Sequence, residues 1–132
     1  MKLQIKNNKT LSELQKEFQK EFPYLKLEFF KKSHGTDEAS AKKDILDSNL
    51  TIGEISKKEG TLSIESTQKV GEIEQQFRKN FSLFVQIFRK SGNVWLETSK
   101  TDDWTIEEQI VAAKESEQHY TYSMHNFADE RQ

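Results

Sequence analysis

Cysteine is absent from all 132 residues, which excludes disulfides, thiolate nucleophiles and Cys-ligated zinc or iron–sulfur centres. Proline occurs once, at Pro23. There is no run of 18 apolar residues to cross a bilayer and no apolar stretch after the first residues that would read as a secretory signal. The chain instead starts on the alternating pattern Lys2-Leu3-Gln4-Ile5-Lys6, and the expected compartment is the cytoplasm, with no membrane contact. A Gly-rich phosphate loop, a G-x-S-x-G elbow and an H-E-x-x-H helix are all missing, so the chemistry that each would carry has no candidate residues.

Charge of neither sign dominates, with 20 Lys and Arg against 22 Asp and Glu, and this near balance argues against a generic polyanion binder. The distribution is uneven: residues 1–96 hold 17 basic and 13 acidic side chains, and residues 97–132 hold 3 and 9. Only 33% of residues are apolar, so nine Phe must fill much of a small core.

What the sequence does contain is an internal repeat. Leu3, Ile5, Leu11, Glu13, Leu14, Phe18 and Phe22 recur 59 positions later as Leu62, Ile64, Val70, Glu72, Ile73, Phe77 and Phe81. After a one-residue deletion the match resumes, Leu25, Leu27, Phe29 and Phe30 corresponding to Leu83, Val85, Ile87 and Phe88. Within each copy the spacing predicts an amphipathic helix flanked by strands, with Thr10 and Glu13 forming a capping box at the first helix and Pro23 ending it. Strands are expected at 2–6, 25–32, 61–65 and 83–90.

The fold class expected is α+β: a duplicated β-α-β repeat forming a ferredoxin-like sheet of about five strands, two helices on one face and an additional C-terminal helix. The fifth strand is Asn93–Thr98, reached through a Ser91-Gly92 turn that sets Phe88 opposite Trp95 and Ile87 opposite Leu96. The additional helix is announced by Thr105 and Glu108, a second capping-box pair, and by an Ile106, Ile110 and Ala113 stripe. Its counterpart in the first copy is Leu50–Ile55, ending as a helical turn stopped by Gly60. Residues 1–116 read as one domain built from repeats 2–59 and 60–116, with 34–49 a mobile polar loop and 117–132 a C-terminal tail.

Strand alternation places Phe30, Phe84, Phe88 and Trp95 on the sheet face away from the two repeat helices, with Lys26, Glu28 and Gln86 between them. Four aromatics there are either covered by the C-terminal helix or present an interaction surface. The function this favours is a non-catalytic protein-interaction or regulatory module, its partner another protein or a second copy in a homodimer. Two rivals come from other classes. Single-stranded nucleic acid could stack on these rings, but the basic pairs Lys31-Lys32 and Arg89-Lys90 stand apart and nucleic-acid binding is not expected. A small-molecule enzyme or binder lacks catalytic candidates: His34, His119 and His125 fit no metal motif, and helix capping accounts for the acids Asp102, Asp103, Glu107 and Glu108. No cofactor and no metal are expected.

The stretch Phe84-Val85-Gln86-Ile87-Phe88-Arg89-Lys90-Ser91-Gly92-Asn93-Val94-Trp95-Leu96-Glu97, followed by Asp102-Asp103-Trp104-Thr105, resembles a group of small uncharacterised bacterial proteins. The resemblance implies a stand-alone bacterial cytoplasmic protein and carries over no activity and no catalytic residue.

Overall fold

The computed structural model describes residues 1–31 and 44–130, with side chains as far as His119 in the last helix. Lys32, His34 and the first part of the 34–49 linker lie outside the described residues, as does the side chain of His125. The elements are β1 (Lys2–Ile5), α1 (Leu11–Glu21), β2 (Leu25–Phe30), α2 (Ile52–Ile55), β3 (Gly60–Ser63), α3 (Val70–Phe81), β4 (Phe84–Ser91), β5 (Val94–Glu97) and α4 (Ile106–Glu130). A 3₁₀ turn at Ser99–Thr101 leads into α4.

Both repeat helices form for the reason their spacing gives. In α1, Leu11, Leu14 and Phe18 lie on one buried face; in α3 the corresponding residues are Val70, Ile73 and Phe77, followed by Phe81. The Thr10 hydroxyl accepts from the Glu13 amide at 3.1 Å while the Glu13 carboxylate accepts from the Thr10 amide at 3.3 Å, completing the capping box. At the equivalent position α3 has Lys69, which offers no side-chain cap. The carboxyl ends also differ. The α1 cap is Phe22, followed by Pro23, whereas α3 turns through Ser82 in the left-handed region at φ 53°, its amide donating to the Arg78 carbonyl at 3.1 Å. One left-handed residue thus does the work of Pro23-Tyr24, which accounts for the one-residue deletion between the copies.

The strands form two antiparallel sheets rather than one ferredoxin-like sheet: β1 pairs with β3, and β4 lies between β2 and β5. A ferredoxin-like order would put β2 and β4 at opposite edges, yet here they are neighbours, Leu27 facing Ile87 and Phe29 facing Val85. Side chains and loops explain why the sheets stay apart. The free edge of β2 is taken by the Gln15 amide on the Leu27 carbonyl (2.8 Å) and by residues 44–46, with Lys31 donating to the Asp44 carbonyl and Leu46 to the Phe29 carbonyl. Along β4, the Ile87 amide donates to Glu74 (2.9 Å) and the Ile87 carbonyl accepts from the Thr98 amide (3.2 Å). With those groups engaged, β1 and β3 have each other as partners.

Further expectations change as well. The β4–β5 turn is Gly92-Asn93, two residues compatible with a II′ turn because Gly92 has φ 61° at the first central position. The register moves by two, so that Trp95 faces Lys90 and Glu97 faces Phe88, and every side chain keeps its face. Residues 44–49 of the expected mobile loop are anchored: besides the bonds to β2, the Ser48 carbonyl accepts from the Ser12 amide at 2.8 Å. Helix α2 ends at Ile55, and the left-handed residue after it is Lys57 at φ 57°, well before Gly60. The segment read as a tail continues α4 to Glu130, since a helix already nucleated by packing adds residues at one hydrogen bond each.

The two halves correspond in their backbone bonds. In the first, Thr10 and Thr51 form an antiparallel bridge; Leu11 donates to the Leu50 carbonyl, Ile52 to Lys9, Ser12 to Ser48 and Gly53 to Asn7. In the second, Lys69 bridges Thr105; Val70 donates to Trp104, Ile106 to Gln68, Gly71 to Asp102 and Glu107 to Ser66. Each junction thereby satisfies amides at two helix amino ends that no turn of their own helix can reach.

The core gathers both sheets and the helices. Phe18 and Phe77 are fully buried, Phe22 and Phe81 nearly so, and Phe29 meets Phe77 edge to face at 6.1 Å. Ile106 is fully buried in the same cluster, with Ile110 packed against it. Phe18→Ala or Phe77→Ala is expected to cost about 3–5 kcal/mol in chemical denaturation, a large share of a small domain's stability. Ser82→Gly is expected to raise stability by about 1 kcal/mol, because glycine removes the Cβ penalty at a left-handed cap; an unchanged or lowered midpoint would contradict this account.

Candidate interaction surface

The three-stranded sheet sets its two faces by alternation. Leu25, Leu27, Phe29, Val85 and Ile87 enter the core. The pairing of Phe30 with Phe84, Lys26 with Phe88 and Lys90 with Trp95 puts all four aromatics singled out in the sequence on the opposite face. They do not form one continuous patch. Phe30 is only 2% exposed, because residues 44–46 run beside it and Ile45 bridges it. Phe84, Phe88 and Trp95 are half-buried.

At one end of this face Phe30 and Phe84 line a groove of about 410 Å³ with Leu46, Leu50 and Ile55, bordered by Lys31 and Glu54. At the other end the Lys26 ammonium stands 5.2 Å from the ring centroids of both Phe88 and Trp95, within cation–π range, and 3.8 Å from the Glu28 carboxylate. The ion pair and the two rings together hold Lys26 between the two aromatics. Sequence reasoning placed Lys26 on this face without giving it that role, because the expected strand order kept β2 and β4 apart and the Lys26–Phe88 pair arises only from the observed one. Between the two ends Gln86 is completely buried, its amide donating to the Ile87 carbonyl at 3.1 Å.

Helix α4 lies on the core side of the sheet and leaves the aromatic face uncovered. Its Ile106 and Ile110 join the cluster that contains Val85 and Ile87. Arg89, on the core-side parity of β4, donates to the Gln109 side chain at 2.8 Å, and Gln109 in turn donates to the Thr101 carbonyl at 2.8 Å. The Arg89 guanidinium also stacks 5.4 Å from the Trp104 ring. It is therefore committed inside the fold, whereas the Lys90 side chain has no ion pair or ring contact among the described residues. Further along α4, Glu117 accepts a hydrogen bond from the Tyr24 hydroxyl, which raises the Tyr24 pKa, and Lys114 stands 5.8 Å over the same ring.

The residues that sequence reasoning missed are the most exposed large apolar ones: Val94 (52%), Val111 (50%) and Leu96 (41%). Val94 and Leu96 share the core-side parity of Arg89 and Ser91, but they sit on the outermost strand, and Val111 lies off the Ile106/Ile110 stripe of α4. His119 is exposed. The acids near the start of α4 act in capping: Thr105 and Glu108 exchange backbone-to-side-chain bonds at 3.1 Å in both directions. Among the described residues no group of three or more His, Asp or Glu is arranged to hold a metal ion, and no helix is long and apolar enough to cross a membrane.

One acid is in an unusual position. Glu74, in α3, is 9% exposed, and its carboxylate accepts from the Ile87 amide at 2.9 Å. Burial pushes its pKa up to about 8; the Ile87 amide opposes the shift, and the charges of Asp102 and Glu97 add to it. Glu74 borders neither the Phe30–Phe84 groove nor α4's outer surface, which makes it a structural group tying α3 to β4. The folded state therefore holds this proton more tightly than the unfolded chain. Stability from Glu74 is complete below its ordinary carboxyl range and is lost as pH rises from about 4.5 to about 8. Glu74→Gln should leave stability near pH 4.5 little changed and raise it above pH 8 by a few kcal/mol, flattening the pH profile measured by urea denaturation.

Comparison with protein-family models, curated proteins and solved structures finds no match to this chain, so the reading of the surface rests on its own geometry.

Proposed function

We propose that the chain is a non-catalytic protein-interaction module whose contact surface is formed by Phe88 and Trp95, arranged around Lys26, together with Phe84 at the other end of the same face. The observation that carries this is that α4 packs against the core and leaves the two ends of this face open on either side of buried Gln86, where three aromatic rings stay half-exposed with a cation held between two of them. Rings fixed before binding lose little entropy on association, and interface hot spots are enriched in aromatic side chains for this reason. Phe30 backs the cluster from a buried position and is not itself a contact residue in this reading. The partner is another protein or a second copy of the chain. The matching junctions of the two halves support tandem duplication of a β-α-β unit as the origin of the scaffold. The resemblance of the β4–β5 segment to small bacterial proteins supports a bacterial, cytoplasmic setting.

Trp95→Ala tests the proposal. The expected outcome is a loss of thermal stability of about 1 kcal/mol or less, the scale of an exposed cation–π contact, together with loss of self-association in sedimentation velocity or of capture of a defined partner. A large stability loss with association unchanged would show the ring to be part of the fold and would overturn the assignment.

A further inference from the structure

A second surface has the chemistry to name its occupant. Along the outer side of α4, Glu107, Glu108, Val111, Ala112 and Glu115 share one helix face, and with Trp104 they line a groove of about 430 Å³. The apolar members lie in the middle: Val111 is half-exposed, and Trp104, one face of which is taken by Arg89, borders them. Carboxylates stand at both ends. Glu107 and Glu108 occupy the first turn, and Glu115 follows eight residues on, roughly 12 Å away along the helix axis. Glu107 and Glu115 are exposed and carry no ion pair among the described residues.

We propose that this groove docks a basic amphipathic segment of a partner protein: a helix with one or two bulky aliphatic side chains set over Val111 and Ala112, and Lys or Arg two turns apart reaching Glu107 and Glu115. The argument is charge complementarity. An apolar floor alone would take any greasy segment, whereas carboxylates at both ends repel acidic helices and draw basic ones. The local balance agrees, since residues 97–132 carry 9 acidic against 3 basic side chains. The apolar contact supplies the anchor and the exposed carboxylates supply selectivity and a steep salt dependence. The proposal rests on reading the chain as an interaction module, but it uses none of the sheet-face residues.

The test uses the full chain with Trp95→Phe, which leaves Trp104 as the single tryptophan of the two present. Two synthetic helical peptides share the same leucines and differ only in carrying Lys or Glu at the two flanking positions. The Lys peptide is expected to give a saturable change in Trp104 emission at micromolar concentration, with the Glu peptide about tenfold weaker or more. Binding of the Lys peptide should fall by about tenfold in the Glu107→Gln/Glu115→Lys variant, with at most the small stability loss of one first-turn carboxylate, and be lost in Val111→Asp with an unchanged melting profile. Glu108 is left alone because it caps Thr105. Absence of saturable change, equal binding of the two peptides, or binding unmoved by the charge variant would overturn the proposal. Self-association abolished by Glu115→Lys would also overturn it, assigning the groove to a second copy. Trp95→Ala should leave Lys-peptide binding intact, so loss of one surface is distinguishable from loss of the other.

Discussion

Everything else in this fold depends on how helix amino ends are satisfied. A helix begins with amides that its own turns cannot bond, and α1, α2, α3 and α4 meet that requirement in pairs: α1 with α2 at the Thr10–Thr51 bridge, α3 with α4 at the Lys69–Thr105 bridge. Because donors of one helix use carbonyls just before the other, neither partner is complete alone. The pairing joins residues some 40 positions apart in sequence and sets the angle at which each helix leaves for the core. With the helix starts fixed in this way, Leu11 and Val70 open the buried faces of α1 and α3.

Sheet topology then follows from edges more than from strands. Gln15 and Glu74 occupy corresponding positions in α1 and α3, and both reach a strand edge, one donating to a carbonyl and the other accepting from an amide. A single pair of corresponding side chains thus performs two complementary tasks, and the two halves support their strands by different chemistry. It also places an acid where water is scarce, which is why Glu74 holds its proton so much more tightly than an exposed carboxyl.

Much of this was legible in the sequence. The i, i+3, i+7 spacing from Leu11 to Phe22 and from Val70 to Phe81 marked both long repeat helices, Thr10 and Glu13 marked one boundary, and strand parity alone assigned Phe30, Phe84, Phe88 and Trp95 to one face. What escaped depends on groups that periodicity does not register. Strand order was decided by two side chains and a returning loop at the sheet edges, hairpin register by the positive φ of Gly92, and the length of α4 by propagation from a packed first half through residues without an apolar stripe. The parity of Phe30 was right, but its burial comes from residues 44–46, whose bonds to β2 are between backbone atoms and leave no mark in side-chain pattern. Lys26 shows the opposite case, its position deducible and its two aromatic neighbours not.

The paired amino ends have an electrostatic consequence. Two helices that meet head to head bring the positive ends of their macrodipoles together, so each junction is a centre of positive potential that carboxylates nearby must offset. At the first, Glu13 and Glu54 do so from within capping boxes. The second carries the additional charge of Lys69 at a helix start, and Glu72, Glu107 and Glu108 lie in the first turns of its two helices. Part of the acidity gathered in the last third of the chain is therefore counter-charge for the scaffold, and only what stands beyond that requirement, Glu115 above all, is left to act on anything outside it.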